Sequence, residues 1–375
     1  MKILLKKYIS IIIVLAISFL SAFILLNKNI LFSNNFIYCL EDFVNKKNQS
    51  SNSYIETDDI IQNNFINFGK DLSCISKSKF MILSHNLKKK LEIKHNFNFP
   101  VVKNSKYKSL IFDSDGKNYI ITSKSKVLYE GKLDQKIITA KISERDNIVF
   151  LTESDEYCCE IRVLTLNGNE KFRYCFAKFY LTDVSINDKG NKVAICGLIS
   201  ENNKIKSIIQ IFDIDTGSSI FCKEFENNKF LSINFFNNKN LMAIGSNIAV
   251  SIKNLGKRTK TFDYFKKNLC FYSFDKNSGA ALSFSPTNDG RNQYILILNK
   301  NCKQKSKIET EKKLKSLCFK NGTILALSDS QSLVYKFNGK ICYQKKVPIN
   351  CKKVTYCNGS KFYVLGNTIS TMSFK

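Results

Sequence analysis

The chain has no tryptophan, 3 prolines and 2 histidines in 375 residues. A metal site or general base built on imidazole would have to use His85 or His95, and Lys94 directly precedes the second. Both read as solvated side chains rather than as chemistry. The sequence lacks HExxH, GxSxG, GxxxxGK(S/T) and a GxGxxG following a strand. Those local motifs would mark a zincin, an α/β-hydrolase, a P-loop enzyme or a dinucleotide-binding unit. No CxxC occurs among the 13 cysteines, which argues against a zinc ribbon and a thioredoxin-like centre. No residue is therefore assigned a catalytic, cofactor-binding or metal-binding role, no ligand-binding residue is named, and no cofactor is expected.

Acidic residues are also few: Asp+Glu is 31 against Lys+Arg 58, a formal net charge of +27. Attraction to an anionic partner is one reading, whether lipid headgroups, a cell-wall polymer or nucleic acid. Compositional drift is the other and is preferred, because Lys, Asn, Ile, Phe and Tyr are all abundant, as AT-rich codons favour, and the lysines are scattered. The cysteines are odd in number and irregular in spacing, and several lie inside apolar runs, such as Cys196 after Val193-Ala194-Ile195. They read as small core hydrophobes in a reducing or anaerobic setting, not as a disulfide framework.

One long apolar run is present. Lys2, Lys6 and Lys7 precede an uncharged stretch from Tyr8 to Leu26. Its length suits a hydrocarbon core of roughly 30 Å. A cleaved signal peptide is the competing reading, but the run is long for an h-region, and Leu20 before Ala22 makes a poor cleavage site. The expected organisation is a cytoplasmic N-terminus at 1–7, a transmembrane helix at 8–26, a polar stalk at 27–65 and a β domain at 66–375. Basic residues before the helix leave the N-terminus inside and the bulk of the chain outside. The stalk reading rests on 45–64, where Ile55, Ile60 and Ile61 are the only aliphatic residues, with a short helix near 58–65 as a local option.

Beyond Phe68 short apolar runs alternate with Asn, Asp, Gly and Lys, and no helical stripe appears. In Val184–Cys196, Val184-Ser185-Ile186 alternates as a strand, Asn187-Asp188-Lys189-Gly190 turns, and Val193-Ala194-Ile195 begins the next strand. One turn class contains Gly116, Gly190, Gly279, Gly322 and Gly359, with Asp146-Asn147 and Asn238-Lys239-Asn240 filling gaps. A second contains Gly168, Gly217, Gly256 and Gly339, with Asn299-Lys300-Asn301. Four strands per ~40–45 residues is the length of a propeller blade. Units begin near Lys108, Ile138, Leu181, Phe230, Leu269, Leu314 and Lys353, preceded by a partial unit at 68–97. The prediction is an all-β fold, a β-propeller of seven four-stranded blades with eight as the alternative count and a tandem β-sandwich as the rival. One terminus is expected to complete the other's blade at closure.

The order of anchor, stalk and units such as Ile111-Phe112-Asp113-Ser114-Asp115-Gly116-Lys117 and Ile211-Phe212-Asp213-Ile214-Asp215-Thr216-Gly217 resembles an uncharacterised family. Its members are single-pass, membrane-anchored, propeller-like proteins of Firmicutes, particularly clostridia. The likeness is clearest at 183–198 and 334–340. It implies fold and topology and supplies no catalytic residue. The missing tryptophan and the excess of Lys and Cys depart from the usual pattern.

Three further stretches invite a chemical reading. Glu153, Asp155 and Glu156, with Glu160 after Cys158-Cys159, offer hard oxygen ligands for a cation, but read better as a solvated hairpin tip. Ser285-Pro286-Thr287-Asn288-Asp289-Gly290 reads as a long turn. Phe262-Asp263-Tyr264-Phe265-Lys266-Lys267 pairs aromatics with lysines as nucleic-acid surfaces do, yet fits strands with one buried face. The expected partners are the membrane, through 8–26, and an envelope protein or anionic polymer, with no nucleic acid and no identified small molecule. The expected function is a non-catalytic binding or scaffold module outside the cell membrane, against an exported lyase or hydrolase acting on a polymer.

Overall fold

The computed structural model describes residues 59–374, apart from 202–203, 266, 287–291, 311 and 349, together with 14, 17–19, 21, 37–38 and 41. Two compact units are distinguished, Met1–Gln49 and Ser50–Lys375. In the first, the described residues are helical, and the expected span at 8–26 lies largely outside them. No helix among the described residues is long and apolar enough to cross a membrane.

The second unit is an all-β propeller of eight blades. Each is an antiparallel sheet whose strands follow in chain order, four strands in blades 1–7 and three in blade 8. The blades span 66–94, 100–132, 137–176, 180–226, 230–263, 268–310, 314–346 and 353–373. Neighbouring blades meet mainly through their first strands, which line the axis. The middle strands are packed on both faces by adjacent blades, so Leu241–Gly245 and Gly279–Ser285 are buried at every residue. Such strands read as continuous apolar runs. Outer strands face solvent, and Ile341–Lys346 is exposed at every residue but Tyr343.

The count is eight, the alternative and not the preferred number. The stretch at 68–97, read as a fragment, is a complete blade starting at Ile66, whose four strands are short. Blade 2 begins at Pro100 rather than near Lys108, because Gly116 does not belong to the turn class assigned to it. Gly190, Gly279, Gly322 and Gly359 join first and second strands, whereas Gly116 joins the second and third. Its requirement is also different. Gly190 sits at φ +72° in the Asn187–Gly190 turn, while an added Cβ on Gly116 would overlap the Asp113 carboxylate. The true first turn of blade 2 is glycine-free: the Ser105 Oγ accepts the Lys108 N–H at 3.2 Å, and the Ser105 N–H donates to the Lys108 carbonyl at 2.9 Å.

Ring closure likewise departs from expectation. Among the described residues no strand is exchanged between the termini. Leu72 and Cys74 of blade 1 share a core with Tyr363, Leu365 and Ile369 of blade 8, and the Tyr363 hydroxyl donates to the Lys70 carbonyl at 2.8 Å. Ile60 and Phe65, inside the segment read as stalk, are buried in this same core. A short 3-10 turn at Gln62–Asn64 lies between them.

Side chains of one blade also serve backbone groups of the next. Asp183 accepts the Ile233 N–H and the Ser232 hydroxyl, both at 3.0 Å. Ser185 accepts the Phe235 N–H at 3.1 Å, and Ser273 the Phe319 N–H at 2.9 Å. A first strand has no partner strand on its axial side, so these contacts satisfy N–H groups that would otherwise be orphaned.

Candidate functional site

The residues singled out in the sequence do not assemble into one site. His85 occupies the turn before the strand Lys89–Lys94, and His95 follows that strand. The histidines are thus separated by roughly 20 Å of extended chain. His95 packs on Phe97 with ring centroids 5.1 Å apart, and burial holds its pKa below the usual histidine value. Glu153, Asp155 and Glu156 are exposed in the turn before the strand Cys159–Thr165, while Glu160 is buried within that strand.

Glu160 is engaged by two arginines. Arg162 Nε donates to it at 2.6 Å, and Arg173 donates twice, at 2.9 and 3.1 Å. Burial pushes its carboxyl upward, but the hydrogen bonds from Arg173 and Arg162 outweigh burial and hold it below the ordinary carboxylate range. The four carboxylates therefore do not converge on one point. In the aromatic–lysine stretch, Tyr264 is a core residue whose hydroxyl lies 2.6 Å from the Gly245 carbonyl, and of its three aromatics Phe265 is the exposed one. Ser285 ends a strand, and most of the turn after it lies outside the described residues. All 12 described cysteines are free thiols, and burial pushes Cys74 and Cys302 up to about 12.

The structure gathers a different set at the channel. Where the first strands end, a cavity of 340 Å³ opens at the axis, lined by residues of blades 1 to 7. Four lysines line it: Lys103 of blade 2, Lys141 of blade 3, and Lys276 and Lys320, which follow or end the first strands of blades 6 and 7. Its two carboxylates are already engaged. Asp188 is ion-paired to Lys276, and Glu144 accepts the backbone N–H of Lys106 at 3.0 Å. Lys141 donates to the neutral amide oxygen of Asn234 at 3.2 Å.

Lys103 keeps part of its surface open to the channel while protein surrounds it. Its ammonium has no hydrogen-bond or ion-pair partner among the described residues. Its pKa is lowered to about 8, chiefly by desolvation, with the like charges of Lys141 and Lys353 adding to the fall and Asp183 opposing it. Lys353, opening the first strand of blade 8, is also lowered to about 8 by burial. Burial is thus the main cause for both lysines, and like charge adds to it at Lys103 alone.

A wider groove of 690 Å³ lies on the rim between blades 6 and 7. Its amides are taken up by turns: Asn299 accepts the Asn301 and Lys303 N–H groups, and Asn277 donates to Asn321. The channel mouth is therefore the stronger candidate. Sequence reading passed over its lysines because each stands alone in its own blade. Aligning the ends of the first strands, Pro100–Asn104 with Ile137–Ile142, would have placed Lys103 beside Lys141.

Comparison with solved structures agrees with the architecture. BamB from Moraxella catarrhalis superposes with a TM-score of 0.55 at 13% identity, over 87% of this chain and 98% of that one. Sqt1 from Saccharomyces cerevisiae gives 0.60 at 10% identity, over 87% and 99%. Sqt1 from Chaetomium thermophilum, bound to the N-terminus of the ribosomal protein L10, gives 0.57 at 11% identity, over 87% and 100%. At such identities the likeness is one of fold alone. No curated protein matches the chain in sequence. Residues 43–374 match DUF5711, and the chain accordingly belongs to this family of unknown function.

Proposed function

We propose that the protein is a non-catalytic binding or scaffold module, tethered outside the cell membrane by a span over residues 8–26 with Lys2, Lys6 and Lys7 on the cytoplasmic side. The observation that carries the binding reading is the channel mouth. It offers unpaired cationic groups to a ligand, while both of its carboxylates are held by protein groups. An exported lyase or hydrolase would instead need convergent Asp/Glu or Tyr/Arg groups there. Asp183, deeper in the ring, is occupied in holding the next blade. The fold lends general support, since one propeller neighbour is bound to a segment of another protein. The anchored topology is read from the sequence, where Lys2, Lys6 and Lys7 precede the apolar run Tyr8–Leu26.

Crosslinking of the anchored protein in its own cells, followed by identification of the captured component, tests the module reading. Recovery of one envelope component in stoichiometric yield is expected. Turnover of an envelope polymer by the purified chain would replace the module with the enzyme. Protease treatment of intact cells tests the topology: the propeller should be cleaved while a cytoplasmic control survives, and full protection would reverse the assignment.

A further inference from the structure

The binding reading leaves the ligand unspecified, and the channel mouth narrows it. We propose that the mouth binds a phosphate-bearing ligand, whose anionic oxygens are taken by Lys103, Lys141 and Lys320. This deepens the module reading and rests on it.

Three observations carry the inference. First, of the four lysines around the 340 Å³ cavity, only Lys276 has a carboxylate partner among the described residues. The other three come from blades 2, 3 and 7, so no single turn or hairpin explains their gathering. Second, like charges crowded into a partly desolvated channel cost folding stability, and a ligand anion would offset that cost. A drifted surface lysine carries no such cost, because it projects into water. Third, the donor set suits phosphate better than carboxylate. No arginine lines the cavity, so the planar fork that reads a carboxylate is absent from it. Separate ammonium groups instead act as point charges around a multiply charged tetrahedral group. The amides of Asn67 and Asn234 at the same mouth are engaged by protein groups, which leaves the lysines as the donors. The volume lies at the small end of ligand cavities and would hold an oligophosphate or a phosphorylated headgroup.

The test uses the full chain in a neutral detergent and follows heat of binding with sodium tripolyphosphate. Four proteins are compared: the native chain, Lys103→Gln, Lys103→Arg and Lys345→Gln. Lys345 lies on the exposed outer strand of blade 7 and serves as the surface control. Saturable binding is expected, weakened about tenfold or more by Lys103→Gln and little changed by Lys103→Arg or Lys345→Gln. Lys103→Gln removes a desolvated charge, so its melting temperature should not fall, which separates a lost site from a lost fold.

Equal weakening by Lys345→Gln would reduce the effect to diffuse surface charge and overturn the site. Citrate binding as tightly as tripolyphosphate would overturn the phosphate preference. Two sources of phosphate are separated by titrating soluble dihexanoyl phosphatidic acid. Binding tighter than tripolyphosphate assigns a lipid headgroup, and weaker binding a soluble phosphate. If tripolyphosphate fails to bind while crosslinking still captures an envelope component, the phosphate site falls and the module stands. Hydrolysis of tripolyphosphate by the native chain would instead remove the module reading itself.

Discussion

Lys108 and Lys103 belong to the same blade and meet opposite fates. Lys108 is wholly buried at the seam between blades 2 and 3, where Asp146 of the next blade closes an ion pair on it. Lys103 looks into the axis, with two more lysines acting on it and no counter-ion in contact. Other buried charges repeat the first pattern. Asp71 takes Lys90 at 3.1 Å and Lys124 of blade 2 at 2.8 Å, and within blade 3 Glu160 takes Arg162 and Arg173. A buried charge in the blades is thus neutralised by the protein, while three of the four lysines at the mouth have no carboxylate partner among the described residues. The net charge of +27 does not make this distinction; position does.

The comparison breaks most visibly at Asp71. Its carboxylate is only 5% exposed and holds two lysines, one of them 8% exposed. Asp71→Ala removes the carboxylate that both ammonium groups share in a desolvated seam. Loss of one member of a buried pair costs about 3 kcal/mol. The midpoint of urea unfolding should fall accordingly, with blades 1 and 2 losing amide protection first in hydrogen exchange. An unchanged midpoint would mean that the seam charges are solvated and that the contrast with the mouth is false.

Glu160 offers a smaller effect with a pH signature. Glu160→Gln keeps the shape but gives up charge-assisted hydrogen bonds, for about 2 kcal/mol near neutral pH. The folded carboxyl has a lowered pKa, so its contribution is complete above the unfolded value and disappears as pH falls through the folded one. Melting curves of the two proteins should therefore differ at pH 7 and converge below pH ~4. A gap that persists in acid would assign the loss to packing instead.

How far such contrasts could be read in advance depended on sequence distance. The turns between third and fourth strands at Gly168, Gly217, Gly256 and Gly339 were legible, because positive φ restricts the residue locally and recurs in blades 3, 4, 5 and 7. Gly116 misled because a close side-chain approach and a left-handed turn both select glycine. The first blade was underread because its second and third turns rely on Ser76 and Ser84, whose hydroxyls accept backbone N–H groups, so that Gly69 alone marks it with a glycine turn. The channel mouth was legible only in part. Aligning first-strand ends sets Lys103 beside Lys141, whereas Lys320, from blade 7, is brought to the same cavity by ring closure.

Lys103 itself should give the smallest effect and one of opposite sign. Its folded pKa of about 8 lies below the ordinary lysine value of about 10.4. Between those values the unfolded chain binds more protons than the native one, so native stability should rise as pH climbs from about 8 toward 10. Below pH 8 the penalty for the desolvated charge is present in full. Lys103→Met removes that penalty, so the variant should match or slightly exceed the native chain at pH 7 and show a shallower rise above pH 8. Part of the rise should remain, since Lys353 is lowered in the same way. Asp71→Ala and Glu160→Gln should each lose stability at pH 7, and this variant should not. A clear loss in Lys103→Met with the pH slope intact would make the lysine stem a packing element, and the mouth would then be one more seam.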